Sequence, residues 1–207
     1  MTDLLQEWLV LLARHTASPD IGAVGATMLA RWSEPHRRYH DTAHLQGVLD
    51  AVDALADHAD DPDAVRLAAW YHDAVYAGAP DDEENSALLA EADLRSLQVP
   101  AALVDEVTRL VRLTVEHDPG PEDRNGQVLS DADLAELAVT SEQYRRNTAR
   151  VRAEYGHVPD EDFRAGRARI IAALLAAPAL YRTAQGQRRW EAAARENLTA
   201  ELRTLNG

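Results

Sequence analysis

Residues 62–76 read PDAVRLAAWYHDAVY. Val65, Leu67, Ala68, Ala69 and Trp70 form an apolar run behind Pro62, a residue suited to the first position of a helix, so the stretch predicts a helix over 62–76. His72 and Asp73 follow that run, where the helix is part-buried. A buried histidine next to a buried aspartate needs partners, because an unpaired buried charge is costly. A divalent metal is one such partner, and a His–Asp hydrogen bond inside the core is another. Adjacent helical residues point about 100° apart, so both side chains can reach an ion set beyond the helix surface.

Outward from this segment the same reading repeats. Leu5, Trp8, Leu9 and Leu12 fall on one face of an amphipathic helix over 2–16, with Thr2 or Asp3 as its cap. Further helices are predicted at 20–33, 42–57, 82–97, 101–116, 128–139, 141–155 and 160–176. The last resumes beyond Pro178 to about residue 205. Residues 118–127 (DPGPEDRNGQ) form the clearest loop, being rich in turn formers. No run of alternating β-branched residues, fixed-period repeat or low-complexity linker interrupts the pattern. The expectation is one all-α domain over residues 1–207.

Composition sets the chemistry open to such a domain. The apolar residues are mostly Ala and Leu, strong helix formers. The formal net charge is −14, from 21 basic and 35 acidic side chains, which argues against a nucleic-acid duplex as partner. It leaves room for a small phosphorylated substrate, because a bound metal can invert the local charge. The absence of cysteine excludes disulfides, thiolate zinc sites and cysteine nucleophiles. A metal site must then use His, Asp and Glu, which suits hard and borderline ions. No apolar stretch approaches the ~20 residues of a membrane span, and the N-terminus lacks the basic region of a signal peptide, so a cytoplasmic protein is expected.

His, Asp and Glu concentrate in three further places. In Tyr39-His40-Asp41-Thr42-Ala43-His44 the two histidines lie four residues apart, as on one helix face. In Leu129-Ser130-Asp131-Ala132-Asp133-Leu134 two acids sit within an apolar stretch. One of them can cap the helix, and the inward Leu129, Leu134 and Leu137 favour Asp133 as the embedded acid. In Thr114-Val115-Glu116-His117-Asp118 a histidine ends a helix, where it can also favour the helix dipole. The ordered set is the signal: His44, then His72-Asp73, then an aspartate some sixty residues later.

That order resembles the H…HD…D motif of the HD superfamily of metal-dependent phosphohydrolases. It is most similar to a bacterial family of HD phosphohydrolases, over nearly the whole chain. The resemblance is carried by Arg38-Tyr39-His40 with His44, Tyr71-His72-Asp73-Ala74-Val75-Tyr76, Asp82-Glu83 with Ser86-Ala87, Thr114 with His117, and Asp131-Ala132-Asp133-Leu134. Tyr144, Arg152, Glu154, Tyr155, Arg167, Tyr181 and Asn197-Leu198 follow. Asp82 stands where that family usually has Asn, and Ala138 where it usually has Gly.

The resemblance implies a single HD-domain helical bundle holding a divalent ion (Mn, Mg, Fe, Co, Ni or Zn). Its ligands would be His44, His72, Asp73 and Asp133, with Asp131 as the alternative to Asp133. Arg38, His40, Glu83 and His117 would contact substrate, and Asp73, Glu83 and His117 would serve catalysis, Glu83 or His117 relaying a proton. Arg37, Arg38 and Arg124 are the basic residues nearest the site in sequence and could offset phosphate charge. The expected reaction is metal-assisted hydrolysis of a small phosphorylated metabolite, with a nucleotide as the first expectation, by a monomer or homodimer with no membrane partner. Two rival readings are an HD-type di-iron oxygenase, which needs extra histidines such as His40 and His117, and a non-catalytic metal-containing binding protein.

Overall fold

In the computed structural model, which describes residues 3–207, the apolar periodicities become ten α-helices and no strand is formed among the described residues. They are α1 (Leu4–Leu12), α2 (Ile21–Trp32), α3 (Thr42–Leu55), α4 (Pro62–Tyr71), α5 (Asp82–Ser96), α6 (Ala101–Leu113), α7 (Arg124–Asp133), α8 (Ser141–Glu154), α9 (Asp160–Ala176) and α10 (Ala184–Asn206). Short 3-10 turns extend α3 over Ala56–His58 and α7 over Leu134–Ala138. None of these helices is long and apolar enough to cross a membrane.

Polar caps decide where most helices begin. The carboxylates of Asp3, Asp41, Asp61 and Asp123 accept first-turn amides of α1, α3, α4 and α7, and the hydroxyls of Thr140 and Thr183 do so for α8 and α10. Each cap is worth about 1 kcal/mol. Asp3 is thus a cap of the first helix, as the sequence predicts; Thr2 lies outside the described residues. Asp41 accepts from the amides of Ala43 and His44, so α3 starts with His44 in its first turn.

Helices α1 to α7 enclose the larger core, with Trp8, Trp32, Trp70 and Tyr71 fully buried. Trp8 and Trp70 meet edge to face with ring centroids 5.2 Å apart. The Trp8 indole N–H donates to the Ile21 carbonyl at 2.8 Å and that of Trp32 to the Trp70 carbonyl at 3.0 Å, so neither ring strands its polar atom. Gly25 permits this packing, because a Cβ there would overlap the Trp8 ring. A smaller core gathers Tyr144, Ile171, Tyr181 and Leu198 from α8 to α10, and Trp190 packs against both cores.

Five boundaries depart from the sequence reading, the first being the end of α1 at Leu12 and not at residue 16. α4 ends at Tyr71, not at residue 76. Beyond it the carbonyls of Asp73 and Ala74 are held by the buried Arg37 guanidinium at 2.8 and 3.1 Å, which turns the chain out of the helix. α6 stops at Leu113, and the following turn leaves His117 left-handed at φ 51°. α7 starts inside the expected loop, at Arg124, because Asp123 caps it. The break at Pro178 extends over 177–183 before α10 begins.

Candidate metal centre and its pocket

Three elements bring the chemistry together. α3 contributes His44 in its first turn, the C-terminal end of α4 contributes His72, and the last residue of α7 contributes Asp133. His44 Nε2 lies 3.4 Å from His72 Nε2 and 3.2 Å from Asp133 Oδ1, and His72 Nε2 lies 3.5 Å from the same oxygen. The three ligand atoms fall within 4.8 Å of one another, so this buried group can hold a metal ion. Bonds of about 2.0–2.2 Å from an ion to N and O donors place neighbouring donors roughly 3.0–3.5 Å apart, which is the spacing found.

The hydrogen-bond chemistry supports the fit. His72 Nδ1 donates to the Ala69 carbonyl at 2.8 Å, so the neutral ring turns a bare Nε2 lone pair inward. That lone pair meets carboxylate oxygens, Asp73 Oδ2 at 3.2 Å and Asp133 Oδ1 at 3.5 Å. Acceptors facing acceptors require a proton or a cation between them. Burial alone would lower the His72 pKa, yet the charges of Asp73 and Asp133 outweigh it and hold it well above the usual range. The Asp133 carboxyl is driven well below its usual range against the same burial, by His72, His117 and His44. His44 lacks an orienting bond: its Nδ1 is buried without a partner, and its ring is held by Tyr39, with centroids 5.1 Å apart.

Asp73, expected as a ligand, sits at the edge of the group. Its Oδ2 is near His72 but 3.9 Å from His44 Nε2, and α4 has already ended before it. Asp131 is elsewhere. It is fully buried on the other side of α7, where it accepts from the Arg182 amide at 2.6 Å, the Thr183 amide at 2.8 Å and the Thr183 hydroxyl at 2.7 Å. It therefore ties the start of α10 to α7 and caps no helix of its own. Burial raises the Asp131 carboxyl despite these donors, the opposite of Asp133.

His40, His72, Asp73, Glu83, His117 and Asp133 all line one cavity of about 530 Å³, which runs from the cluster to α8 and α9. His117 Nε2 lies 2.7 Å from Asp133 Oδ2, so it orients the Asp133 carboxylate from behind. His40 is not on the helix of His44, because Asp41 caps α3 after it, yet the two rings lie 5.4 Å apart. Its Nδ1 is 2.7 Å from Glu154 Oε2, while Glu154 Oε1 accepts the consecutive amides of Arg38, Tyr39 and His40 at 2.7, 2.7 and 2.9 Å. Burial opposes ionisation of Glu154, but His40 and those amides hold it down at about 2.

The arginines do not fulfil the phosphate-binding expectation. Arg38, taken as a substrate contact, is exposed and outside the cavity lining; its backbone serves Glu154. Arg37 is consumed by the carbonyls of His40, Asp73 and Ala74. Arg124 pairs with Asp60 at 2.8 Å. Sequence reasoning assigned no role to Glu154 or Glu136; the only trace of Glu154 was its place in the family resemblance, because it reaches the site from 114 residues away in sequence. Comparison with protein-family models, curated proteins and solved structures finds no match.

Proposed function

We propose that this chain is a metal-dependent hydrolase of small phosphate esters. The observation that carries the reading is the convergence of two imidazole nitrogens and the Asp133 carboxylate at coordination spacing, at the base of a cavity large enough for a metabolite. His44, His72 and Asp133 hold the ion, with Asp73 as a further oxygen donor beside His72. When bound, a divalent ion supplies an acidified water and polarises a phosphoryl oxygen. His117 fixes the orientation of Asp133. His40, with its Nδ1–H given to Glu154, presents Nε2 as a proton carrier, and Glu83 is a second one in the cavity wall.

The test is turnover by metal-depleted protein reconstituted in turn with Mn²⁺, Mg²⁺, Co²⁺ and Ni²⁺, on a panel of phosphate esters. Activity is expected to vanish with EDTA and return with an ion. His72→Ala should abolish both metal and activity, and Glu83→Gln should lower turnover while leaving metal content intact. Absence of phosphate release, with oxygen consumed by a two-iron form, would replace this reading with the oxygenase one. Tight metal binding without either activity would leave a binding protein.

A further inference from the structure

The cavity over the metal centre is one-sided in charge. Glu83 and Glu136 face it half-buried, and Asp162 stands on its exposed rim; none of the three has a cationic partner among the described residues. Glu136 instead accepts from the Asn147 amide at 3.0 Å and from the Tyr39 hydroxyl, with Gly47 leaving room for it: a Cβ there would come within 2.9 Å of its Oε1. Arg167 is the one arginine or lysine among the described lining residues, and Glu201 neutralises it through contacts of 2.9 and 3.1 Å. Aliphatic and small polar side chains share the rest of the wall with the rings of Tyr39, Tyr76, Tyr144, Tyr155 and Phe163, and the guanidinium groups of Arg150, Arg37 and Arg152 lie over one face of Tyr39, Tyr76 and Phe163.

Two consequences follow for what the cavity accepts. A second or third phosphate would meet these carboxylates, and the positive charge that His40 can carry is already paired with Glu154, so polyphosphates are disfavoured. A positive organic group would find what a cation needs in a half-enclosed site: carboxylates of unbalanced charge and the faces of aromatic rings.

We infer that the substrate is a phosphate monoester whose alcohol carries a protonated or quaternary amine, the phosphate lying at the metal centre and the cation between Glu136 and the tyrosine rings. This rests on the hydrolase reading above and narrows its substrate away from nucleoside polyphosphates. In the reaction a water oxygen forms the new P–O bond, the P–O bond to the alcohol breaks, and the alcohol leaves protonated. The products are inorganic phosphate and a free amino alcohol.

The experiment compares Mn²⁺-loaded protein on choline phosphate, on its neutral isostere 3,3-dimethylbutyl phosphate, and on a nucleoside triphosphate. In parallel, metal-free protein is titrated with choline and with 3,3-dimethylbutanol. A preference of at least ten-fold in kcat/KM for the cationic ester is expected. Its ratio to the neutral ester should fall towards one in Glu136→Gln, and part of the way in Asp162→Asn, whose exposed position keeps folding out of question. Equal or better turnover of the neutral ester or the triphosphate would overturn the inference and leave the hydrolase reading standing. No turnover of any ester, with choline still bound at least ten-fold tighter than the neutral alcohol, would support the cation site and sink the hydrolase reading. Loss of selectivity in both experiments overturns the inference.

Discussion

Asp131 and Asp133 stand two residues apart on α7, and their amide variants should fail in different ways. Asp131→Asn keeps the size of the side chain but turns one acceptor into a donor, facing the amides of Arg182 and Thr183 and the Thr183 hydroxyl. A hydrogen bond to a charged group contributes about 1.5–3 kcal/mol, so losing one or two of the three costs roughly 2–5 kcal/mol. In a chain of 207 residues, each kcal/mol moves Tm by about 2–4 °C, giving a melting point roughly 5–20 °C lower. Its metal response should survive. Asp133→Asn should do the reverse. An ion at 100 times its Kd stabilises the folded state by about 2.7 kcal/mol, or roughly 5–11 °C, and that gain should disappear. Thermal melts of both variants and the parent, in EDTA and in excess Mn²⁺, read out the contrast. If Asp131→Asn loses the metal-dependent rise while Asp133→Asn keeps it, the assignment of the two acids is reversed.

Two further outcomes follow from the packing. Glu154, held at about 2, stabilises the fold above its unfolded value of about 4.3 and loses that contribution as pH falls through the folded one. His40 is raised, because Glu154 and nearby carboxylates outweigh burial; its contribution is complete below about 6.5 and is lost as pH rises through the folded value. The cost of Glu154→Gln, measured by urea unfolding of metal-free protein, should therefore peak between about pH 4.5 and 6.5; a cost independent of pH would refute the pairing. Gly25→Ala should destabilise by about 1–3 kcal/mol, since the added methyl overlaps Trp8 in a closely packed core. Unchanged urea unfolding of that variant would show that α1 and α2 can part freely.

The helices were legible because their apolar spacing and their caps are local. Trp8 and Leu12 mark one face of α1, and Pro62 marks the start of α4 in sequence as in space. Helix ends were less so, because distant groups set them: Arg37 ends the α4 segment by taking the carbonyls of Asp73 and Ala74. His72 and Asp133 stood out as polar residues within or beside apolar runs, and His44 by its spacing from His40. Choosing Asp133 over Asp131 by inward-facing leucines agrees with the geometry, although both acids are enclosed. What distinguishes them is their partners, and those of Asp131 lie at 182–183, far along the chain. The arginines misled because nearness in sequence says nothing of where a guanidinium is spent.

The bond between Asp131 and residues 182–183 also joins groups that leave the ribosome far apart in time. Two residues along a helix is about 200° of rotation, so α7 turns Asp131 towards α10 and Asp133 towards the two histidines. The donors His44, His72 and Asp133 have all left the ribosome once residue 133 has emerged. The helix that aims Asp133 already packs in the larger core through Val128, Leu129 and Ala132, and it gains its last tie only when Arg182 and Thr183 follow, with Gly186 close behind, where any Cβ would overlap the Asp131 carboxylate. A nascent chain therefore carries its candidate metal-binding residues for some fifty codons before that last tie can form.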